Sequence, residues 1–229
     1  MQGIPGIPLG NRNVKDPRLD EVDRLVEAKK RVYARVETVS PKDLATADAV
    51  LTSADLFPDL LLHDLEFIEN RLGRNPGAEE AAVLRKLQAA LEDGTPAAKV
   101  TLTDEERAAV AAHRFLTDLP IVVATEAEPA EPDQLLFRAF QEAGFISFFT
   151  VGGKENRAWP IPAGATAVEA AGIIHTDLQK GFIRAEVISF ADLVEHGGEK
   201  EAKRAGCQRL ETKNYVVRDC DIINFRFNK

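Results

Sequence analysis

The chain has 229 residues, 45% of them hydrophobic and 29% charged, with a net charge of −8. That length allows one large domain or two small ones, and the composition excludes disorder, a collagen-like repeat and a small disulfide scaffold. No apolar run approaches the roughly 20 residues of a membrane helix. Met1 to Asn13 lacks the basic and apolar segments of a signal peptide. The two cysteines, Cys207 and Cys220, fit reduced thiols in a cytoplasmic protein.

Residues 1–15 are rich in Gly and Pro and read as an extended arm. Asp16 offers an N-cap and Pro17 a first helical residue. Leu19, Val22, Leu25 and Val26 recur at helical spacing, which predicts a helix over 17–29. Arg31 to Val39 alternates like a single strand, ended by Pro41, and Ala47 to Thr52 is a weaker strand. From Pro58, Leu61, Leu62, Leu65, Ile68, Glu69 and Leu72 mark a helix face. A turn over Gly73 to Gly77 leads to a second helix, Ala78 to Leu91, which predicts an antiparallel α-hairpin. Thr103 to Glu106 is a capping box opening a third helix to Leu116. Pro120 to Ala124 is a short buried strand. An acidic loop over Glu126 to Asp133 precedes a helix over Gln134 to Ala143, stopped by Gly144.

The rear segment changes period. Phe145 to Val151, Arg157 to Ile161, Ile183 to Phe190, Tyr215 to Arg218 and Ile222 to Phe227 read as strands. Thr166 to His175 reads as a helix, Ala191 to Glu195 as a helical turn, and Glu199 to Ala205 as a further helix or loop. This order fits a small α+β roll. Charge divides near the same point. Met1 to Phe145 carries 17 Lys and Arg against 26 Asp and Glu, and Ile146 to Lys229 carries 12 against 11.

The rear stretches Phe148 to Trp159, Ala170 to Asp177, Lys180 to Val187, Asn214 to Asp219 and Asp221 to Asn228 resemble the C-terminal TGS domain of the YchF/Obg-related NTPases. The resemblance implies a ubiquitin-like β-grasp fold over 145–229, associated with RNA and the ribosome. The front resembles that family in pieces: Asp16 to Leu19 a helix start, Ala34 to Val39 the strand before switch II, Ile121 to Ala124 the strand before the base-reading motif. The hairpin resembles a shortened helical arm. The implied organisation is an NTPase-domain remnant over 1–57, an arm over 58–118, a remnant with connecting helix over 119–144, and the TGS-like domain.

NTPase chemistry needs G-x-x-x-x-G-K-[ST], whose backbone N–H groups cradle phosphate. Gly3, Gly6 and Gly10 are loosely spaced with no Lys-Ser or Lys-Thr after them, and Gly152-Gly-Lys154 is followed by Glu155. Where the family has D-x-x-G, this chain has Ser40 and Asp43. Where it has N-x-x-E, this chain has Thr125 to Glu128, keeping Glu128 but not the Asn. The expectation is a chain that is not an enzyme and holds no cofactor. His63 with Asp59 and Glu66 reads as a solvated helix face, so no metal is expected.

Lys154, Arg157, Lys180, Arg184, Lys200, Lys203, Arg204 and Arg209 are the candidates for nucleic-acid contact, as phosphate partners gathered on one face. Trp159 and Phe182 read as core aromatics or stacking platforms. The expected function is a non-catalytic, translation-associated regulator docking on RNA or the ribosome. Alternatives are a protein-interaction module, using a strand edge or helix, and a residual ATP or GTP binder without turnover. No membrane partner is expected, and the oligomeric state stays open.

Overall fold

The structure, a computed structural model, describes residues 7–40, 43, 46–126, 128 and 131–228. Gly3, Gly6 and Pro41 lie outside the described residues. The chain divides into two compact units: residues 1–10 with 38–135, and residues 11–37 with 136–229.

In the second unit, the arm expected over 1–15 ends in strand β1 (Gly10–Val14). Asp16 then caps helix α1 (Pro17–Leu25), its carboxylate accepting from the Arg18 N–H. The helix stops earlier than predicted. Val26 is extended, and its carbonyl accepts from Asn156 Nδ2 at 2.7 Å instead of continuing the ladder. The single strand expected over 31–39 is two, β2 (Arg31–Val32) and β3 (Ala34–Thr38). They part because they have different partners: β3 pairs with β1, and β2 joins the main sheet.

In the first unit, β4 (Val50–Ser53) pairs in parallel with β5 (Ile121–Ala124). Between them lie α2 (Phe57–Leu72), α3 (Ala78–Glu92) and α4 (Asp104–Val110). The α2–α3 hairpin is present, packed through Leu61, Ile68, Val83, Leu84, Leu87 and Leu91. The buried face of α2 is Leu60, Leu61, Asp64 and Ile68, whereas Leu62 and Glu69 are exposed. The Thr103–Glu106 capping box forms as expected. The third helix ends before Leu116. Asp64 takes the N–H groups of Leu116 and Thr117, so 116–118 closes as a 3-10 turn.

Arg71 and His113 both bind Glu80, at 2.6 and 2.7 Å, joining α2, α3 and the segment after α4. The hydrogen bond from Arg71, then that from His113, hold the Glu80 carboxyl down at about 2, from an ordinary 4.5. A lowered folded-state pKa means stability that is complete above the ordinary value and lost as pH falls through the folded value. Melting temperature should therefore fall between pH 4.5 and 2, and Glu80→Gln should flatten that acid limb. An unchanged acid limb in the variant would refute the assignment.

Helix α5 (Pro132–Glu142) leads into β6 (Phe145–Thr150) and β7 (Asn156–Pro162). Then come α6 (Ala167–Ile174), α7 (Thr176–Lys180), β8 (Phe182–Ile188), α8 (Phe190–His196), α9 (Glu199–Arg204), β9 (Arg209–Glu211) and β10 (Ile222–Phe227). Of these, α7 and β9 were not predicted. The sheet is mixed, in the order β2-β7-β6-β10-β8-β9. One face packs Phe149, Ala158, Ile188 and Ile222 with Leu19 and Val22 of α1 and Leu193 of α8. The other packs Phe148, Ile161, Val187 and Ile223 under α6. Alternation along each strand sends successive residues to opposite cores.

Residues 215–218 form no strand. Ala167 N–H donates to the Tyr215 carbonyl, and Val217 N–H donates to that of Ala165, so this segment pairs with the loop before α6. The buried Asp221 carboxylate anchors it, accepting from Tyr215 Oη at 2.7 Å and the Arg218 N–H at 2.9 Å. Burial pushes the Asp221 carboxyl up; burial, with that hydrogen bond, pushes the Tyr215 phenol up to about 12.

Candidate nucleic-acid interface

The strand order separates the three of the eight cationic candidates that lie on strands. Arg157 lies on β7, one strand from the β2 edge, whereas Arg184 on β8 and Arg209 on β9 lie at the opposite end of the sheet. The single face expected from sequence is therefore at least two places.

At the first, β2 runs parallel to β7 with Arg31 opposite Asn156 and Val32 opposite Arg157. A further bridge joins Ala28 to Gly153. This brings the run Lys29-Lys30-Arg31 alongside Lys154 and Arg157, and all but the half-buried Arg157 are exposed. Glu155 lies between them, bound by Lys30 at 2.9 Å and Arg157 at 3.2 Å, and its carboxyl is held low chiefly by the Lys30 hydrogen bond. The Arg157 guanidinium lies 4.1 Å from the centre of the Trp159 ring, and Trp159 Nε1 donates to Thr150. Arg31 lies 5.2 Å from the Tyr33 ring. Arg31 also binds Asp20 at 2.9 Å, so each guanidinium is held between an aromatic face and a carboxylate, which orients it at the sheet edge. Sequence reading missed Lys29, Lys30 and Arg31. The run of three cations was visible, but its neighbours were fixed by pairing across more than a hundred residues.

The other candidates are more dispersed. Lys180 ends α7 and is exposed, as is Arg184, which stands opposite Arg226 on β10. On α9, Lys203 binds Glu199 at 2.7 Å and Arg204 lies 3.7 Å from Glu201, while Lys200 is exposed. Arg209 binds Glu211 and Tyr215 at 3.2 and 3.3 Å.

The positions matching the NTPase motifs are bonded locally. Ser40 Oγ donates to Asp43 at 2.8 Å. The Thr125 N–H and Oγ1 both donate to Glu128, at 2.6 and 2.8 Å. Gly152 and Gly153 both have positive φ and turn β6 into β7. The Gly152 N–H donates to the buried Asn156 side chain at 2.9 Å, so this Gly-Gly-Lys segment is a hairpin turn.

The class defined by this architecture is a mixed α+β protein with a C-terminal sheet of the β-grasp kind. A family model named YchF-GTPase_C, described as a protein of unknown function (DUF933), matches residues 145–228. The chain belongs to the YchF family. It is 41% identical over 155 residues to the ribosome-binding ATPase YchF of Haemophilus influenzae, covering 68% of this chain and 39% of that protein. The Bacillus subtilis protein of the same name is 32% identical over 235 residues, covering 74% and 64%. The chain thus spans less than two thirds of these relatives. The fold is that of the Schizosaccharomyces pombe YchF GTPase, with a TM-score of 0.70 at 20% identity over 96% of this chain and 88% of that one.

Proposed function

We propose that this chain docks on the ribosome in the cytoplasm through RNA contacts of its TGS-like C-terminal region, and does so without hydrolysing nucleotide. The observation that carries the reading is the cationic edge where Lys29 to Arg31 meets Lys154 and Arg157. Phosphate contacts of this kind supply sequence-independent affinity that salt removes. The relatives' name, ribosome-binding ATPase, supports the partner. Lys180, Arg184, Lys200, Lys203, Arg204 and Arg209 form the secondary part of the surface.

Ser40 is a weak metal ligand, and Asp43 puts a carboxylate where phosphate would sit. Glu128 is already bound by Thr125. None of the 229 residues supplies G-x-x-x-x-G-K-[ST]. The expected result is no Mg²⁺-dependent ATP or GTP hydrolysis. Turnover that survives purification and disappears on mutation of this chain would refute it.

Docking is tested by co-sedimentation with ribosomes across a salt series. Lys154→Glu with Arg157→Glu should weaken binding at every salt and flatten the log–log salt slope by about one unit per lost phosphate contact. Lys180→Glu with Arg184→Glu should have the smaller effect. No binding at low salt, or binding indifferent to salt, would refute the reading.

A further inference from the structure

In the C-terminal sheet, β10 outruns its neighbour. It pairs with β8 from Ile222 to Phe227, but with β6 only at Ile222 opposite Phe149. The Phe149 N–H donates to the Asp221 carbonyl at 2.8 Å, which fixes the phase of the strand. Odd-numbered residues of β10 turn their backbone groups toward β6, and even-numbered residues toward β8. β6 ends at Thr150, so the carbonyl of Ile223 and both backbone groups of Phe225 point past its end. Such a row of strand-edge groups is a template for another strand.

A cavity of about 460 Å³ lies along this free half of β10. Apolar walls come from residues such as Ile188 and Phe225, and polar positions from Glu186, Glu199, Gln208 and Asn224. Among the described residues, the lining has two carboxylates and no Lys or Arg. Arg226 binds Glu186, and Lys203 binds Oε1 of Glu199 at 2.7 Å, but neither cation lines the cavity. Burial works against the charged form of Glu186, yet hydrogen bonds from Asn224 and Arg226 outweigh it and keep that carboxyl low.

We propose that the free half of β10 receives an extended basic segment of a partner protein by strand addition. The backbone at Phe225 supplies the pairing, and the Glu199 carboxylate, which Lys203 engages through Oε1, selects a Lys or Arg on the incoming strand, whereas Glu186 is already taken up by Asn224 and Arg226. A carboxylate-lined groove disfavours RNA, so this site is distinct from the cationic β2–β7 edge and does not depend on ribosome docking.

The test is fluorescence anisotropy with the full chain and a labelled peptide alternating Val and Lys. A Val–Glu peptide and a backbone N-methylated Val–Lys peptide are the controls. The expected result is binding of the Val–Lys peptide only, with the Phe225 amide protected from hydrogen exchange. Glu199→Gln should weaken binding by about tenfold, the loss of one charge-assisted contact. Equal binding of the N-methylated or Val–Glu peptide, or no binding of the Val–Lys peptide, would overturn the proposal. Self-association that the peptide disperses would assign the edge to a second copy and overturn it likewise. The N-methylated control uses the unaltered chain, so the test does not depend on how the variant folds.

Discussion

Replacing Arg18 by alanine should destabilise the C-terminal unit by about 2–3 kcal/mol, the scale of lost charge-assisted hydrogen bonds. Arg18 Nε and Nη2 each donate to Asp16 at 2.8 Å, while Nη1 donates to Asp219 at 2.5 Å. Asp219 in turn accepts from the Ser147 N–H at 3.1 Å. One guanidinium thus joins the start of α1 to β6 and to the turn at Cys220, which has a φ of +64°. Burial opposes the charge, but the bonds to Asp16 and Asp219 outweigh it and raise the Arg18 pKa. Asp16 is only 1% exposed, so truncation strands a buried carboxylate that keeps the Arg18 N–H but loses its countercharge. The Asp219 arm is about a third exposed and contributes less. Arg18→Lys should rescue only in part, because an ammonium cannot fork between two carboxylates. Urea unfolding checks this: the midpoint should fall with the slope unchanged. A midpoint equal to that of the parent would show the network to be dispensable.

Asp64→Ala should cost the first unit about 3–5 kcal/mol, because three buried donors lose their acceptor at about 1–3 kcal/mol each, partly relieved by relaxation. Its carboxylate accepts from the Leu116 N–H at 2.9 Å, and from the Thr117 N–H at 2.8 Å and Oγ1 at 2.7 Å. Thr117 Oγ1 accepts from the Ala97 N–H at 3.1 Å. Asp64 and Thr117 are 1% and 0% exposed, so water cannot replace the lost acceptor. Asp64→Asn keeps an acceptor and should cost less. In a double-mutant cycle, Asp64→Ala with Thr117→Val should fall short of the sum of the singles, because the two residues share one network. Strict additivity would show that they act separately.

Asp64 also shows what a closer sequence reading could have caught. It stands three residues after Leu61 and four before Ile68, on the buried stripe of α2, where an ionisable residue needs a partner. The sequence pattern assigns to that stripe Leu61, Leu62, Leu65, Ile68, Glu69 and Leu72, of which Leu62 and Glu69 are exposed, and passes over Asp64. The partners of Asp64 lie more than fifty residues away and carry no local signal. The same holds at the cationic edge. Lys154 and Arg157 could be picked out by composition, but Lys29 to Arg31 joins them only through the β2–β7 register.

The sequence by itself determined the local elements whose physics is local: the Asp16 cap with Pro17, the Thr103–Glu106 capping box, the α2–α3 hairpin and the alternation of β6, β7, β8 and β10. It also determined, through long ordered stretches over 145–228, the family to which the chain belongs. Only the tertiary structure decided that residues 11–37 pack with the C-terminal sheet, that Arg31 to Thr38 is two strands, and that 215–218 is not a strand. It alone set Arg157 apart from Arg184 and Arg209 across the sheet and left half of β10 without a neighbour on its β6 side. The physical reason is the same in each case. Caps and periodicity are set within a turn or two of chain, whereas strand partners, buried carboxylate networks and sheet edges are set by whichever distant groups satisfy a backbone or a charge.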